Sequence, residues 1–402
     1  MCDDFSFIDS AEFKAFIGSY GMADPATLRL KQFPSLPFDK DLAVTQIECR
    51  RKARKKLPQL ADKLAYPTNV SIEQCTSEVL AAFHAKLFAG CDRVIDLTCG
   101  LGIDSFFISH EATSVTSVDA SGIVAAAARR NMSFLGRGNV EVVCDRAEHY
   151  VTTQADYSAV FIDPSRRLTN DRASRTYAIS DTVPDLQMII PQIEPKCRFM
   201  IVKASPMVDI SHTLADFHGI TEVWVLSVKN ECKELLFKIS FPQQPSEPTV
   251  HCIDFATSGT VAYDYQRQAQ TAPIAEARPA AGKYLLVPNA SIMKAGAFDD
   301  AARHYGIGRI AANSHLYVAD SVIETYPGKA FVIDEVLTMS KPDIKKLKSI
   351  TASANIACRN FPLKPDELRK KLKIADGGDY YIHATTLADK SKVLLLCRQV
   401  NA

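Results

Sequence analysis

Apolar positions change their spacing several times along the chain. From Asp9 to Tyr20 they fall at Phe13, Phe16 and Ile17, a helical spacing that Gly21 ends. Over 39–57, Leu42, Val44, Ile47 and Leu57 stand among many charges, which predicts a solvated helix stopped by Pro58. Pro67 breaks the chain again, so 1–70 reads as a helical N-terminal region. Thr76 or Ser77 then offers an N-cap with Glu78 in the first turn. Val79, Leu80, Phe83, Leu87 and Phe88 give that helix one apolar face.

From residue 71 onward, short apolar runs alternate with helical stretches. Strands are predicted at Val94–Leu97, Ser114–Val118, Val140–Val143, Ala159–Ile162, Phe199–Val202, Glu222–Val228 and Leu235–Ile239. Helices are predicted at Ile103–Ser109, Ile123–Leu135 and Pro184–Ile193. This alternation describes a largely parallel, Rossmann-like α/β sheet over 71–241. Only about six residues separate the last two runs, too few for a crossover helix, so the last strand should run antiparallel. Prolines at 242, 245 and 248 mark a linker, and 242–281 is expected to be irregular. Strand-like runs at Tyr284–Val287, Ala330–Ile333, Asn355–Ala357 and Val393–Cys397 follow. Helical stretches at Phe298–Tyr305, Lys341–Ser349 and Pro365–Leu372 accompany them, predicting an α+β C-terminal region in two parts.

Composition narrows the class. A chain of 402 residues with 47% apolar and 23% charged residues is ordinary globular protein of two or three domains. No apolar run approaches the ~18–20 residues of a membrane span. The start, Met1-Cys2-Asp3-Asp4, lacks a signal-peptide pattern. Eleven cysteines without a C-x-x-C pair then read as reduced cytosolic thiols, with no zinc or iron–sulfur site expected. The net charge of +1 hides an asymmetry: Arg50–Lys56 holds six basic residues, and 341–373 holds ten basic against three acidic. Two basic islands on an otherwise acidic body suit a polyanion partner, the plainer alternative being solvated helix faces.

The chemistry concentrates at strand ends. Val94-Ile95-Asp96-Leu97-Thr98-Cys99-Gly100-Leu101-Gly102-Ile103-Asp104 takes a buried strand through a two-glycine turn into a helix. Glycines let a backbone approach a nucleoside, and the helix start offers free N–H groups. Asp119, nineteen residues after Gly100, ends the next strand where an acid can bind both ribose hydroxyls. Asp145 ends the third strand, placed to reach an adenine amino group. Asp163 ends the fourth, in Asp163-Pro164-Ser165-Arg166-Arg167. Asp96, inside the first strand, suits the amino group of a methionine moiety. Each acid alone could be a helix cap. Four together would repel a pyrophosphate but suit the cationic sulfonium of S-adenosylmethionine.

Over about 75–240 these motifs resemble class I S-adenosylmethionine-dependent methyltransferases. Glu73-Gln74-Cys75-Thr76-Ser77-Glu78, Lys203-Ala204-Ser205-Pro206-Met207, Asn230-Glu231-Cys232-Lys233-Glu234-Leu235-Leu236 and Lys370-Lys371-Leu372-Lys373 with Gly377-Gly378 resemble, more closely, the bacterial members with a C-terminal THUMP-like domain. The resemblance implies a seven-stranded methyltransferase core, a ferredoxin-like segment at 282–325 and a THUMP-like domain at 326–402. It also implies cofactor contacts from Asp96, Thr98, Gly100, Gly102, Asp119, Asp145 and Arg146. THUMP modules elsewhere serve RNA, so tRNA or rRNA is the implied partner.

Asp163-Pro164-Ser165-Arg166 occupies the place of the (Asn/Asp)-Pro-Pro-(aromatic) motif of amino-methyltransferases. There the acid or amide and the proline carbonyl hold an exocyclic N–H, the role implied for Asp163 and Pro164. Arg166 and Arg167 then suit a phosphate or a guanine edge, or are plain surface residues. Lys345, Lys346, Lys370 and Lys371 flank Arg359-Asn360-Phe361-Pro362 and are the candidates for gripping an RNA backbone around one stacked base. Cys232 reads as a structural thiol, because no Pro-Cys nucleophile motif occurs. The nine histidines show no metal spacing and receive no role. Two other functions stay open: a protein or small-molecule methyltransferase whose C-terminal region dimerises, and a nucleic-acid-binding protein without activity.

Overall fold

A computed structural model describes residues 5–33, 35–154, 156–166, 182–245, 247–267 and 273–400. It divides into two compact units, 1–223 with 234–246 and 224–233 with 247–402. Among the described residues no helix is long and apolar enough to cross a membrane.

The first unit opens with capped helices. Ser10, Asp24, Asp39 and Thr68 each accept the backbone N–H three residues on, starting Ala11–Tyr20, Pro25–Leu30, Lys40–Ala53 and Asn69–Gln74. Phe13, Phe16, Leu28, Val44 and Ile47 bury themselves with Ala127 of the Gly122–Phe134 helix. Leu57, Leu64 and Tyr66 pack with Leu101 and Ile103 of the glycine turn. A polar clasp lies inside this apolar contact. Buried Asn131 accepts the Ala65 N–H at 2.7 Å and donates to Ala65 O at 3.2 Å and Leu101 O at 3.4 Å.

The basic island Arg50–Lys56 belongs in part to this packing, with Lys52, Arg54 and Lys55 exposed. Arg51 donates to Gly21 O and Ala23 O, and Lys56 to Ile72 O and Glu73 O. Lys52 pairs with Glu48 and Glu73, Arg54 with Asp62, and Arg50 lies over the Phe13 ring. Carbonyls at turn ends need donors, and these side chains supply them.

Seven strands of a nine-stranded sheet form the α/β core: β1 Arg93–Asp96, β2 Ser114–Asp119, β3 Val140–Cys144, β4 Ala159–Ile162, β5 Phe199–Ala204, β6 Ile220–Val228 and β7 Glu231–Ser240. Their order is 3-2-1-4-5-7-6, with β7 antiparallel to β5 and strands 3, 2, 1, 4 and 5 parallel. This is the α/β architecture expected from the alternation. Lys229 and Asn230, at φ 52° and 63°, make the whole β6–β7 turn. The gap is shorter than the sequence suggests because both strands extend toward each other.

In the second unit the stretch expected to be irregular holds a hairpin, β8 Thr249–Ala256 with β9 Gly259–Gln266. Asp254 interrupts its apolar pattern, yet it is buried and satisfied by the Ser227 hydroxyl at 2.8 Å and the Asn230 N–H at 2.9 Å. A second sheet combines β10 Tyr284–Pro288, β11 Gly308–Arg309, β12 Tyr317–Ala319, β13 Gly328–Leu337, β14 Asn355–Cys358, β15 Tyr380–Thr386 and β16 Lys392–Gln399. Their order is 11-12-10-13-16-15-14, with only the β14–β15 pair parallel among those described. Leu347 of helix Lys341–Ile350, and Leu368 and Leu372 of helix Pro365–Leu372, close one core against Ile382, Leu394 and Leu396.

Asn131→Leu orphans a buried N–H and two carbonyls, so stability should fall by about 2–4 kcal/mol. Urea unfolding measures this. A loss below about 1 kcal/mol would mean that apolar packing alone docks the N-terminal helices.

Candidate functional site

The C-terminal ends of β1 to β4 carry the expected acids, and the chain uses each differently. Asp96 is wholly buried. One of its oxygens accepts the Thr98 N–H at 3.0 Å, and the other accepts the Ser105 hydroxyl at 2.5 Å. Burial raises its pKa to about 7, against the hydrogen bonds from Ser105 and Thr98. Its place is therefore inside the turn, holding it. Each oxygen keeps a further lone pair, though the side chain has no exposed surface.

The turn itself has two left-handed glycines. At Gly102, φ +79°, a Cβ would lie 2.6 Å from Met132 Cε. At Gly100, φ +52°, a Cβ would meet nothing within 4 Å, so open space lies over that backbone. Asp119 reaches back to this turn: Oδ2 accepts the Gly100 N–H at 3.0 Å and Oδ1 the Ser121 N–H at 2.9 Å. It is partly exposed, and burial raises its pKa. Each carboxylate oxygen keeps a lone pair for a further donor, which suits a vicinal diol. Asp145 accepts His149 Nδ1 and the Arg146 N–H, both at 2.7 Å, and these bonds, His149 first, lower its pKa. Arg146 is exposed beside it. Open backbone, a diol-binding acid and a second acid at adjacent strand ends fit a nucleoside.

Asp163 is tied to the same turn, since its N–H donates to Thr98 Oγ1 at 2.7 Å. Its side chain is about one-third exposed, and Oδ2 lies 2.6 Å from Lys203 Nζ. Among the described residues nothing hydrogen-bonds Oδ1. Burial raises the Asp163 pKa, with Lys203 opposing. Pro164 is half-buried. Ser165–Arg166 pairs with Thr182–Val183 in a short ladder. The Arg166 side chain and all of Arg167 lie outside the described residues.

Behind Asp163 runs a chain of groups to which sequence reading gave no part in the site, Thr76 being read only as a candidate N-cap, the place Ser77 takes. Lys203, buried in β5, also donates to Thr76 Oγ1 at 2.8 Å. The Thr76 hydroxyl donates to Asp104 Oδ2 at 2.6 Å, and Asp104 Oδ1 is 2.7 Å from His84 Nδ1. His84 Nε2 meets Glu234 Oε1 at 2.5 Å. Burial disfavours the Lys203 ammonium, but Asp163, Asp104 and Glu234 outweigh it and hold its pKa above the lysine value. Burial likewise opposes charge on His84, yet Glu234 and Asp104 raise it to about 9. Asp104, which burial alone would raise, is lowered to about 2 by Lys203, His84 and Thr76. Thr76, Lys203 and Glu234 stand in the quoted family motifs, and a lysine inside an apolar strand was the readable signal.

In the second unit, Lys345, Lys346, Lys370 and Lys371 are exposed on the outer faces of the two helices whose leucines face the sheet. Lys346 pairs with Glu335 at 2.7 Å. The expected stacking partner is placed otherwise: Phe361 packs against the same core, and Arg359 donates to His315 O at 3.1 Å.

Comparisons agree with this layout. Residues 328–399 match a family model described as THUMP domain-like, and 284–327 match one described as a ferredoxin-like domain. A crystal structure named for a methyltransferase from Porphyromonas gingivalis W83 superposes with a TM-score of 0.88 at 30% identity, covering 100% of both chains. An uncharacterized S-adenosylmethionine-dependent methyltransferase of Mycobacterium tuberculosis H37Rv is 25% identical over 336 residues, 81% of this chain and 87% of that one.

The buried charges set a pH window for stability. The folded Asp104 pKa lies below the free value of 3.8, so its contribution is present above that pH and lost as pH falls toward about 2. His84 is raised from 6.5, so its contribution is complete below pH 6.5 and lost as pH rises through about 9. Asp96, raised from 3.8 to about 7, lowers stability as pH rises between those values, where the folded chain still holds a proton that the unfolded chain has released. In His84→Gln the fall in unfolding free energy from pH 6.5 to 9 should shrink. A slope equal to wild type would show that His84 does not carry it.

Proposed function

The chain belongs to the class I S-adenosylmethionine-dependent methyltransferases with a C-terminal THUMP-like domain, and on that premise we propose that it methylates a base nitrogen of a structured RNA, tRNA or rRNA. The observation that carries this reading is Asp163: a partly exposed carboxylate beside a proline carbonyl, with one oxygen held by Lys203 and the other without a described partner. Such a pair accepts hydrogen bonds and has nothing to donate, so it selects an acceptor that presents N–H.

When bound, S-adenosylmethionine supplies a methyl group activated by its sulfonium. Asp119 holds the ribose diol, Asp145 and Arg146 flank the adenine, and Gly100 leaves the space they need. Thr98 joins this cofactor turn to Asp163 through the Asp163 N–H, so the two halves of the site move as one. Alignment of donor and acceptor, with water excluded, is the protein's main task in such a transfer. The RNA reading draws further support from the THUMP-like match and the exposed lysines of the two C-terminal helices. Arg166 and Arg167, by their position after Asp163-Pro164, are assigned to the phosphate or base edge next to the acceptor.

Asp119→Ala should weaken S-adenosylmethionine binding by roughly 1–3 kcal/mol in calorimetry. Asp163→Ala should keep cofactor affinity within a few-fold and cut methyl transfer to RNA by roughly 10²-fold. Loss of cofactor binding in Asp163→Ala, with turnover per bound cofactor intact, would move Asp163 into the cofactor site.

Changing Lys345, Lys346, Lys370 and Lys371 together to Ala should weaken RNA binding steeply at low salt. Each lost phosphate contact should flatten the salt dependence by about one counterion unit, with S-adenosylmethionine binding unchanged. Wild-type RNA affinity and salt slope in this variant would remove the basic helices from the RNA site.

A further inference from the structure

We infer that Lys203 is a positioning residue for methyl transfer: anchored through Thr76 to the buried Asp104–His84–Glu234 chain, it fixes the Asp163 carboxylate with Oδ2 tied and Oδ1 turned free for the acceptor's N–H. This rests on the reading of Asp163 given above.

The chain is continuous over five contacts of 2.5–2.8 Å, each between polar atoms of six side chains. Its members come from widely separated segments: Thr76 just before helix Glu78–Lys86, His84 in its last turn, Asp104 in the helix after the glycine turn, Asp163 after β4, Lys203 in β5 and Glu234 in β7. Hydrogen-bond direction is consistent along it. Lys203 donates at both contacts, Thr76 accepts from Lys203 and donates to Asp104, and a doubly protonated His84 donates to both carboxylates.

The charges alternate as well. Lys203 and His84 are cations, and Asp163, Asp104 and Glu234 are anions, leaving one negative charge in excess. Asp163 is the most exposed of these carboxylates, at 34% against 13% and 8%, so the excess resides where an acceptor can reach it. Lys56 also faces this group from the N-terminal region, but its ammonium is directed to Ile72 O and Glu73 O. Asp104, from the helix after the glycine turn, and Glu234, from β7, face Asp163 as well, and both oppose its ionisation.

The consequence is orientational. A carboxylate at a strand end can rotate freely, and an acceptor held by it would then be poorly aimed at the methyl group. A lysine fixed at its far side by Thr76 removes that rotation. It also favours the charged form of Asp163, the form that accepts an N–H bond. A purely structural ion pair would need neither an Oδ1 without a partner among the described residues nor the exposure of Asp163.

Lys203→Met tests this with three measurements on the full-length protein. S-adenosylmethionine affinity by calorimetry should stay within a few-fold of wild type. Transfer of labelled methyl groups to total RNA from cells lacking the gene should fall roughly 10²-fold, and the acid limb of its pH profile should move upward by a unit or more. The Asp163 carboxyl carbon, assigned by its disappearance in Asp163→Asn and followed by NMR, should titrate at higher pH in Lys203→Met. That titration needs no acceptor, so it separates the two claims: no transfer to RNA by wild type sinks the RNA reading, while an unmoved Asp163 titration sinks the role of Lys203. Wild-type rate and pH profile in Lys203→Met would also overturn it. If Lys203→Met fails to fold, Thr76→Val, which keeps both charges and removes only the anchor, should lower turnover with cofactor affinity kept; an unaltered rate there overturns the proposal equally.

Discussion

An ammonium group cannot be buried alone, and that constraint organises the first unit. Lys203 sits inside the central sheet, so carboxylates must surround it. Asp163 supplies the nearest, Thr76 a second hydrogen-bond partner, and Asp104 the next charge along. Asp104 in turn requires a cation, which His84 provides, and His84 is closed off by Glu234. One buried cation thus determines what must stand on two helices and in a neighbouring strand. Removing one member of a charged pair, such as Asp104 or Lys203, leaves an uncompensated charge in a low-dielectric interior, which ordinarily costs several kcal/mol.

The same constraint ties function to the fold. Asp163 belongs to the buried chain through Oδ2 and to the glycine turn through its backbone N–H, which meets Thr98. Asp96 holds that turn from beneath and Asp119 from the side. The acceptor end and the cofactor end of the site are therefore braced by hydrogen bonds to one short loop. This suits a reaction that depends on alignment more than on any activated nucleophile.

The second unit shows how the same residue type serves two ends. Lysines on its two outer helices project from faces whose inner leucines fill a core, which keeps the charge in water and available to a polyanion. In the equally dense cluster at Arg50–Lys56, Arg51, Lys52 and Lys56 are engaged by backbone carbonyls and carboxylates of their own unit, while Lys55 is exposed. Charge density along a chain does not distinguish these cases. What does is whether unsatisfied acceptors lie within reach once the chain has folded.

Periodicity and turn chemistry determined the α/β core directly. Seven apolar runs, two glycines after the first and acids at four strand ends are local patterns, and local sterics and burial translate them into strands, a turn and helices. The reversed last strand followed from a connection too short for a crossover. The hairpin at 249–266 escaped because Asp254 breaks the apolar pattern and its partners lie more than twenty residues away. His84 escaped for the same reason: a lone histidine on a helix has no local signature, and Asp104 and Glu234 come to it from 20 and 150 residues along the chain. Asp96 was legible as an acid near the turn, but only the folded chain decided that it lies under the loop, with both oxygens engaged. The sequence by itself determined which elements form and which acids end them. Tertiary structure alone decided which charges are buried together, because burial and pairing depend on neighbours in space that the order of residues does not reveal.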